Sequence, residues 1–234
     1  MGNNKFNENT RVQVPAALHL CKLGYTYLDN ICAYDTKTNI LIDVFLNAVK
    51  RFNPGLSGSE ASLLYAKIVN IANNDDLGRE FYQLLSANSG MKLIDFENPE
   101  NNDWHVTTEF TCENEDTEDE FRPDITCFVN GLPLAFIEVK KPNNREGILA
   151  ERERINKRMS KSCFRRFFNI TQLMIFSNNQ EYDTDSRVPI QGAFYCCAAK
   201  EKAFFNVFRE EDKRYVSDLS LIHISEPTRH LRIS

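Results

Sequence analysis

Two carboxylates and one amine lie close together in an apolar segment between residues 122 and 143. Asp124 comes first, and Glu138 and Lys140 follow a predicted turn at Asn130-Gly131. Adjacent carboxylates repel one another unless a cation neutralises them, and hard oxygen ligands with water in the remaining positions suit Mg²⁺. A water on such a cation can attack a phosphodiester, while a lysine positions or deprotonates that water or offsets charge on the phosphate. The segment therefore predicts metal-dependent hydrolysis of a phosphodiester.

The length of the predicted hairpin turn decides whether the three groups share one face. Glu138 and Lys140 lie two residues apart, so both face the same side of their strand. A two-residue turn at 130–131 would place Asp124 opposite Ile137, on the other face. A three-residue loop over 129–131 would place Asp124 opposite Phe136 and diagonal to Glu138, on the shared face. The catalytic hypothesis therefore requires the odd-length loop, and a salt-bridged structural hairpin is the alternative.

The surrounding sequence predicts helices before the hairpin and strands around it. Apolar spacing indicates four helices between residues 8 and about 86, the third of them capped by Ser57 or Ser59. Strand patterns begin at Trp104, and both faces of the hairpin are mostly apolar, as in a sheet that helices cover on each side. A long helix is expected from Arg145 to about Phe168, and a closing helix from Glu201 to about Leu219.

These elements are expected to form one domain over residues 1–219, with a helical part at about 8–86 and a catalytic sheet part at about 104–219. Residues 220–234 lack a helical period and a cap, so we expect a non-native or disordered tail there. No apolar run approaches the roughly 20 residues of a membrane helix, and no apolar signal segment follows Met1. The seven cysteines lack metal-binding spacing, so we expect reduced thiols in a cytoplasmic protein without a membrane partner.

The distribution of charge points to a nucleic-acid partner, although the total does not. A formal net charge of −5 argues weakly against phosphate binding. That total averages an acidic run at residues 113–120 with a segment from Arg145 to Arg166 that holds eight basic and three acidic side chains. Such a segment by itself is typical of a solvated helix face, but beside the hairpin it indicates sequence-independent contacts with DNA phosphates. The candidate DNA-binding residues are Arg152, Arg154, Lys157, Arg158 and Lys161.

The hairpin segment, Arg-Pro-Asp-Ile-x(4)-Asn-Gly-Leu-Pro-Leu-x(2)-Ile-Glu-Val-Lys-Lys-Pro-Asn at residues 122–143, closely resembles a known family. That family is the nuclease domain of the type I restriction enzyme R subunit, within the PD-(D/E)xK restriction-endonuclease-like superfamily. The likeness extends from residue 8 to about residue 219. It implies an α/β fold in which helices flank a mixed β-sheet, together with a helical N-terminal portion.

The resemblance also implies a role for each site residue. Asp124 and Glu138 would hold the metal with help from the backbone carbonyl of Val139, and Lys140 would be the catalytic lysine. An acidic residue on the first helix often joins such a site, and Glu8 is the matching candidate. The alternative for Glu8 is a first-turn acid that favours the helix dipole.

The chain departs from the family pattern in one place. Relatives commonly carry Gln-x-x-x-Tyr on the helix after the lysine, whereas this chain has Glu151-Arg-Glu-Arg-Ile155 at the corresponding place. The letters Gln-x-x-x-Tyr do occur at residues 191–195, but they follow the next predicted strand, and we interpret that match as coincidence.

The resemblance implies a larger machine around this domain. Its partners would be double-stranded DNA, a methyltransferase (modification) subunit and a specificity subunit, and its target would be foreign unmethylated DNA. ATP-driven translocation would belong to the full-length subunit, since none of the nine glycines here is followed by the lysine of a P-loop. One alternative is a stand-alone repair or mobile-element nuclease of the same superfamily. Another is a non-catalytic DNA-binding or docking module that retains an inactive hairpin.

Overall fold

The computed structural model describes residues 12–31, 33–87, 90–112, 120–141, 144, 146–180, 192–198 and 201–207. Within these ranges the chain forms six α-helices and a seven-stranded sheet. The helices are α1 (Val14–Lys22), α2 (Ile42–Phe52), α3 (Gly58–Ile71), α4 (Arg79–Leu85), α5 (Gly147–Met159) and α6 (Arg165–Ile170). The strands are β1 (Thr26–Tyr27), β2 (Trp104–Thr108), β3 (Ile125–Val129), β4 (Leu132–Val139), β5 (Leu173–Ser177), β6 (Ala193–Cys196) and β7 (Asn206–Val207).

The strands lie side by side in chain order across a mixed sheet. The β2–β3 and β3–β4 pairs are antiparallel, and so are the β5–β6 and β6–β7 pairs. The β1–β2 and β4–β5 pairs are parallel, and α5 and α6 make the crossover between β4 and β5 that a parallel pair requires. The hairpin therefore lies in the middle of a mixed sheet, and the expected α/β architecture is confirmed.

Two apolar clusters cover the two faces of this sheet. Strand residues such as Ile125 and Ile175 pack in a cluster with α1 to α4, whereas Phe128 and Phe176 pack in a second cluster with α5 and α6. Burial on both faces explains why the central strands read as almost continuous apolar runs instead of alternating ones. It also means that charged groups on these strands are tolerated only at the strand ends.

Local sequence signals explain how α3 and α1 begin. The Ser57 hydroxyl accepts a hydrogen bond from the Glu60 backbone N–H at 3.2 Å, and the Ser57 backbone N–H donates to the Glu60 carboxylate at 2.8 Å. This reciprocal capping box starts α3 and selects Ser57 over Ser59 as the cap. Pro15 lies in the first turn of α1, where its missing N–H costs no intrahelical hydrogen bond.

Two predicted helices are wrong in their extent. The helix expected over 145–168 ends at Met159, because Lys161 adopts an extended backbone with ψ of 129° before a 3₁₀ turn at Ser162–Phe164 and then α6. The bend lets Phe164 and Phe167 pack around the buried ring of Phe121.

The closing helix expected from Glu201 is also wrong within 201–207, because Asn206–Val207 pairs with β6 as a strand. The Ala203 N–H in this segment donates to the Asn156 side chain at 2.7 Å and ties it to α5. Residues 1–11 and 208–234 lie outside the described residues, so the domain limits and the tail remain predictions. No helix in the described ranges is long and apolar enough to span a membrane.

Candidate active site

The hairpin that carries the candidate catalytic residues has a two-residue turn. Val129 pairs with Leu132, and the intervening Asn130 and Gly131 have φ values of 51° and 80°. Positive φ at both central residues is what a type I′ turn requires, and Asn-Gly is its preferred sequence. The three-residue loop expected from the catalytic hypothesis is therefore wrong.

A β-bulge in β4 nevertheless restores the required face. Phe128 pairs with Pro133, but Cys127 pairs with Ala135, so β4 holds one additional residue, Leu134. Proline cannot donate a hydrogen bond to the ladder and is tolerated beside such irregularities, which explains the bulge at this point. Beyond the bulge Ile125 pairs with Ile137, and the same register places Asp124 across from Glu138. The carboxylates converge, although by a different route from the one expected.

The tip of the hairpin is held by a buried hydrogen-bond network. The Asn130 side-chain oxygen accepts from the Asp103 N–H at 2.8 Å, and its NH₂ group donates to the Leu93 carbonyl and the Asn102 side chain at 2.9 and 2.8 Å. Asn130 is fully buried, so each of these bonds satisfies a group that water cannot reach. The network fixes the start of β4 and hence the register that leads to the site.

Asp124 is held in place by contacts to its backbone and its carboxylate. The Val139 N–H donates to the Asp124 carboxylate at 2.8 Å, directly across the hairpin. Gln13 is buried and donates its side-chain NH₂ to the Asp124 carbonyl at 2.7 Å. Gln13 was not singled out from the sequence, because nothing local relates it to a strand 111 residues further along the chain.

Glu138 is a buried carboxylate in an unfavourable electrostatic position. Its exposed fraction is 5%, and burial together with the neighbouring carboxylates of Glu151 and Asp124 raises the pKa of Glu138 well above its usual value. Desolvation and like charge both disfavour the ionised form. A bound cation would remove this penalty, because it would neutralise the charge that the protein alone compensates poorly.

Lys140 lies among oxygen atoms at the end of β4. Its Nζ donates to the Val139 carbonyl at 2.8 Å, lies 3.1 Å from Oε2 of Glu151, and lies 3.8 Å from Oδ2 of Asp124. Burial acts to lower the pKa of Lys140, but the surrounding carboxylates, first that of Glu151, outweigh it and raise the pKa. The amine is therefore held as an ammonium ion.

Glu151, which the sequence singled out only as a departure from the family pattern, is a member of the site. Its side chain is 3% exposed, and it contacts Lys140 at 3.1 Å, Arg154 at 2.8 Å and Arg158 at 3.8 Å. Its place on α5 could have been found from spacing, because Ile148 and Ile155 lie three residues before and four after it on the buried stripe of the helix. A glutamate in that stripe has to be paired, and here three cations surround it.

The comparison with known proteins bears on the same residues. The family model described as the N terminus of the type I restriction enzyme R protein matches residues 5–184. The chain belongs to this family. A protein of Methanocaldococcus jannaschii, named "Putative type I restriction enzyme MjaIXP endonuclease subunit", is 32% identical over 165 residues. That alignment covers 61% of this chain and 16% of the relative, so the chain spans only a small part of its length.

The family match includes the whole constellation of Asp124, Glu138, Lys140 and Glu151, and it ends before β6. Glu151 lies at the position where the resemblance led us to expect a glutamine, and the structure shows that it contacts the lysine of the hairpin. It therefore places a buried negative charge directly beside the site.

Two of the five predicted DNA-binding residues lie beside this constellation. Arg154 is 57% exposed and bonds Glu151 with one guanidinium nitrogen. Arg158 is 23% exposed, faces the same carboxylate and lies 4.6 Å above the ring of Phe121. Both therefore hold positive charge at the edge of the site.

The other three predicted contacts are placed differently. Arg152 lies on the other flank of α5, where it pairs with Glu153 and its guanidinium carbon is 5.2 Å from the centre of the Phe205 ring. Lys157 and Lys161 are exposed at the C-terminal end of α5 and just after it. The structure thus divides the basic segment between two flanks of one helix, and Arg152 is not brought to the hairpin.

The donor set at the hairpin fits a hard divalent cation that retains several waters. It consists of the carboxylates of Asp124 and Glu138 and the carbonyl of Val139, which are the oxygen ligands that Mg²⁺ prefers. In the described ranges no three His, Cys, Asp or Glu side chains are grouped so as to hold a metal by themselves. Backbone and water ligands would therefore have to complete the site. Glu8 lies outside the described residues, and its role remains a prediction.

Proposed function

We propose that the chain is the nuclease domain of a type I restriction enzyme R subunit and hydrolyses DNA phosphodiesters with Mg²⁺. The observation that carries the proposal is the bulged register of the hairpin. It brings Asp124 across from Glu138. Lys140, the first residue after β4, then lies with its Nζ 3.8 Å from the Asp124 carboxylate. A structural hairpin would not need to bury a carboxylate as poorly compensated as that of Glu138.

Each residue has a defined role in this proposal. Asp124, Glu138 and the Val139 carbonyl would hold the cation, and the cation would supply an activated water and neutralise charge on the phosphate. Lys140 would donate hydrogen bonds to phosphate oxygens as negative charge develops on them, or would position or deprotonate the attacking water.

DNA would be held through its backbone. Arg154 and Arg158 lie beside the hairpin, and Lys157 and Lys161 extend the positive surface along the exposed side of α5. Contacts of this kind position a duplex without reading its sequence. The domain would therefore depend on other parts of the enzyme to choose where it cuts.

The surrounding enzyme is part of the proposal. A methyltransferase subunit and a specificity subunit would restrict cleavage to foreign unmethylated DNA, and motor domains elsewhere in the full-length subunit would use ATP for translocation. The M. jannaschii relative is long enough for such domains, because the aligned region is 16% of its length. The setting would be the cytoplasm, where the complex meets incoming double-stranded DNA.

Calorimetric titration with Mg²⁺ and Mn²⁺ tests the proposal without requiring the motor. We expect saturable binding by the wild-type chain and at least about tenfold weaker binding by Asp124→Ala, since one of two charged ligands is lost. Asp75→Ala is the matched control, because this aspartate is 86% exposed and pairs only loosely with Arg165 at 3.6 Å. If Asp124→Ala leaves the titration unchanged, the catalytic assignment is wrong and a non-catalytic DNA-binding module becomes the better account.

A further inference from the structure

The ammonium group of Lys140 lies among the oxygen atoms that are candidates for holding a cation. It is 2.8 Å from the Val139 carbonyl oxygen and 3.8 Å from Oδ2 of Asp124, two atoms of the proposed metal-binding set. The ammonium is positively charged, compact and able to bond several oxygens at once. It therefore satisfies electrostatically the same atoms that a divalent cation would bind.

We propose that Lys140 occupies the place of the cation in the metal-free protein, and that Glu151 receives the displaced ammonium when a divalent cation binds. The inference rests on the proposed function and adds a competition between the amine and the metal. An ammonium and a divalent ion repel each other strongly at contact distance in a partly buried site, so they cannot both bond the Val139 carbonyl.

Glu151 is suited to receive the amine because it already contacts it. Its Oε2 is 3.1 Å from Lys140 Nζ, so the lysine can leave the Val139 carbonyl and keep a charged partner. Arg154 and Arg158 also contact Glu151, so they help compensate its charge while Lys140 bonds the Val139 carbonyl. A glutamine at this position would supply an oxygen acceptor but no charge, and so would hold a displaced ammonium less strongly.

The displacement would also move the ammonium towards the surface that is proposed to receive the phosphate. A lysine bonded to Val139 and close to Asp124 contacts the metal ligands, whereas a lysine held by Glu151 alone would share that carboxylate with Arg154 and Arg158. The second arrangement leaves the ammonium beside the positive surface that is proposed to receive the phosphate. Glu151 would thus be a positioning residue for Lys140, and it would act only through that lysine.

The first test compares two lysine variants in a calorimetric titration with Mg²⁺ and Mn²⁺. Lys140→Met removes the competing charge, so we expect it to bind the cation at least about tenfold more tightly than the wild type. Lys141→Met is the matched control, because it removes the same charge from the adjacent exposed position, and we expect a change of less than about twofold. Lys140→Gln serves as a second uncharged variant if circular dichroism shows that Lys140→Met does not fold.

The second test is a double-mutant cycle between Lys140 and Glu151. Glu151→Gln should weaken cation binding, because the ammonium loses its alternative partner and stays on Val139. Glu153→Gln makes the same change two residues away on an exposed side chain and should have little effect. In the Lys140→Met background, Glu151→Gln should change the dissociation constant for the cation by a factor at least about fivefold smaller than in the wild type. Such non-additivity reports direct coupling between the two residues.

The outcomes separate this inference from the nuclease proposal. Tighter binding by Lys140→Met, together with a Glu151 effect that depends on Lys140, supports the displacement. Equal or weaker binding by Lys140→Met overturns the displacement, and so does a Glu151 effect of the same size in both backgrounds. Either result leaves the nuclease proposal standing provided that binding still depends on Asp124. If Asp124→Ala binds the cation as tightly as the wild type does, the proposed function itself fails.

Discussion

Replacing Gly131 by alanine tests whether docking of the hairpin tip supports the site. Gly131 has a φ of 80°, and a Cβ added there would lie 2.5 Å from the Leu41 carbonyl oxygen and 2.9 Å from the Phe45 amide nitrogen. The Leu41 N–H donates to the Gly131 carbonyl at 2.9 Å, so the turn lies directly on the first turn of α2. The new methyl group would therefore meet backbone that cannot turn away as a flexible side chain can.

Two costs add up in Gly131→Ala. An L-residue in the left-handed region costs about 1–2 kcal/mol, and overpacking against rigid neighbours costs about 1–3 kcal/mol. We therefore expect the free energy of unfolding to fall by about 2–5 kcal/mol. Gly55 supplies the control, because its φ is also positive at 92° but an added Cβ would meet nothing within 4 Å. Gly55→Ala should show only the conformational cost of about 1–2 kcal/mol.

Urea unfolding followed by circular dichroism measures both variants against the wild type. The informative quantity is the difference between Gly131→Ala and Gly55→Ala, because it isolates the close approach of the turn to α2. If Gly131→Ala is no more destabilising than Gly55→Ala, the turn does not dock on α2 as the structure shows. In that case the docking of the turn on α2 could not be what holds the Asn130 network, and hence the register of β4, in place.

Three further predictions concern charge. Glu138→Gln should raise the unfolding free energy in EDTA by about 1–2 kcal/mol, because it removes a poorly compensated buried carboxylate, and should lose any stabilisation by Mg²⁺; a drop in Tm in EDTA would contradict this. Hydrogen bonds, first from the Asn101 side chain, hold the pKa of Asp95 below its usual value. The ionised carboxylate of Asp95 therefore stabilises the folded state above the unfolded pKa of about 3.9, and this stabilisation is lost as the pH falls. The Tm advantage of the wild type over Asp95→Asn should therefore narrow between pH 5 and 3 (roughly one unit either side of that value), and a constant gap would refute it. Arg154→Gln should reduce the salt dependence of duplex binding by about one phosphate contact, whereas Arg152→Gln should not, and the reverse order would count against the placement of DNA beside the hairpin.

Local patterns predicted the elements well where the determining forces are local. The Ser57 capping box, the Asn-Gly turn signal and the two-sided apolar strands each depend on residues near one another in the chain. The four helices before Trp104 follow from the same patterns, whereas β1, which lies between α1 and α2, was not predicted. These features predicted the α/β architecture and placed the candidate residues on the hairpin.

The features that were missed depend on contacts between distant residues. The segment from Arg145 to about Phe168 was predicted as one continuous helix. The backbone instead turns at Lys161 so that phenylalanines of α6 can surround Phe121, which lies more than 40 positions earlier in the chain. Gln13 reaches Asp124 across 111 residues for the same reason, since the sheet decides which distant backbone atoms meet.

The requirement that Asp124 and Glu138 share a face predicted one property of the hairpin, the parity of its unpaired residues. Side chains alternate between the two faces along a strand. Asp124 and Glu138 can therefore share a face only if the number of unpaired residues between them, in the turn and in any bulge, is odd. The three-residue loop met that condition alone, whereas the structure meets it with a two-residue turn and the one bulged residue Leu134. The site requirement thus predicted the parity of the hairpin but not which element supplies it. Pro133, which cannot donate to the ladder, lies directly before the bulged residue.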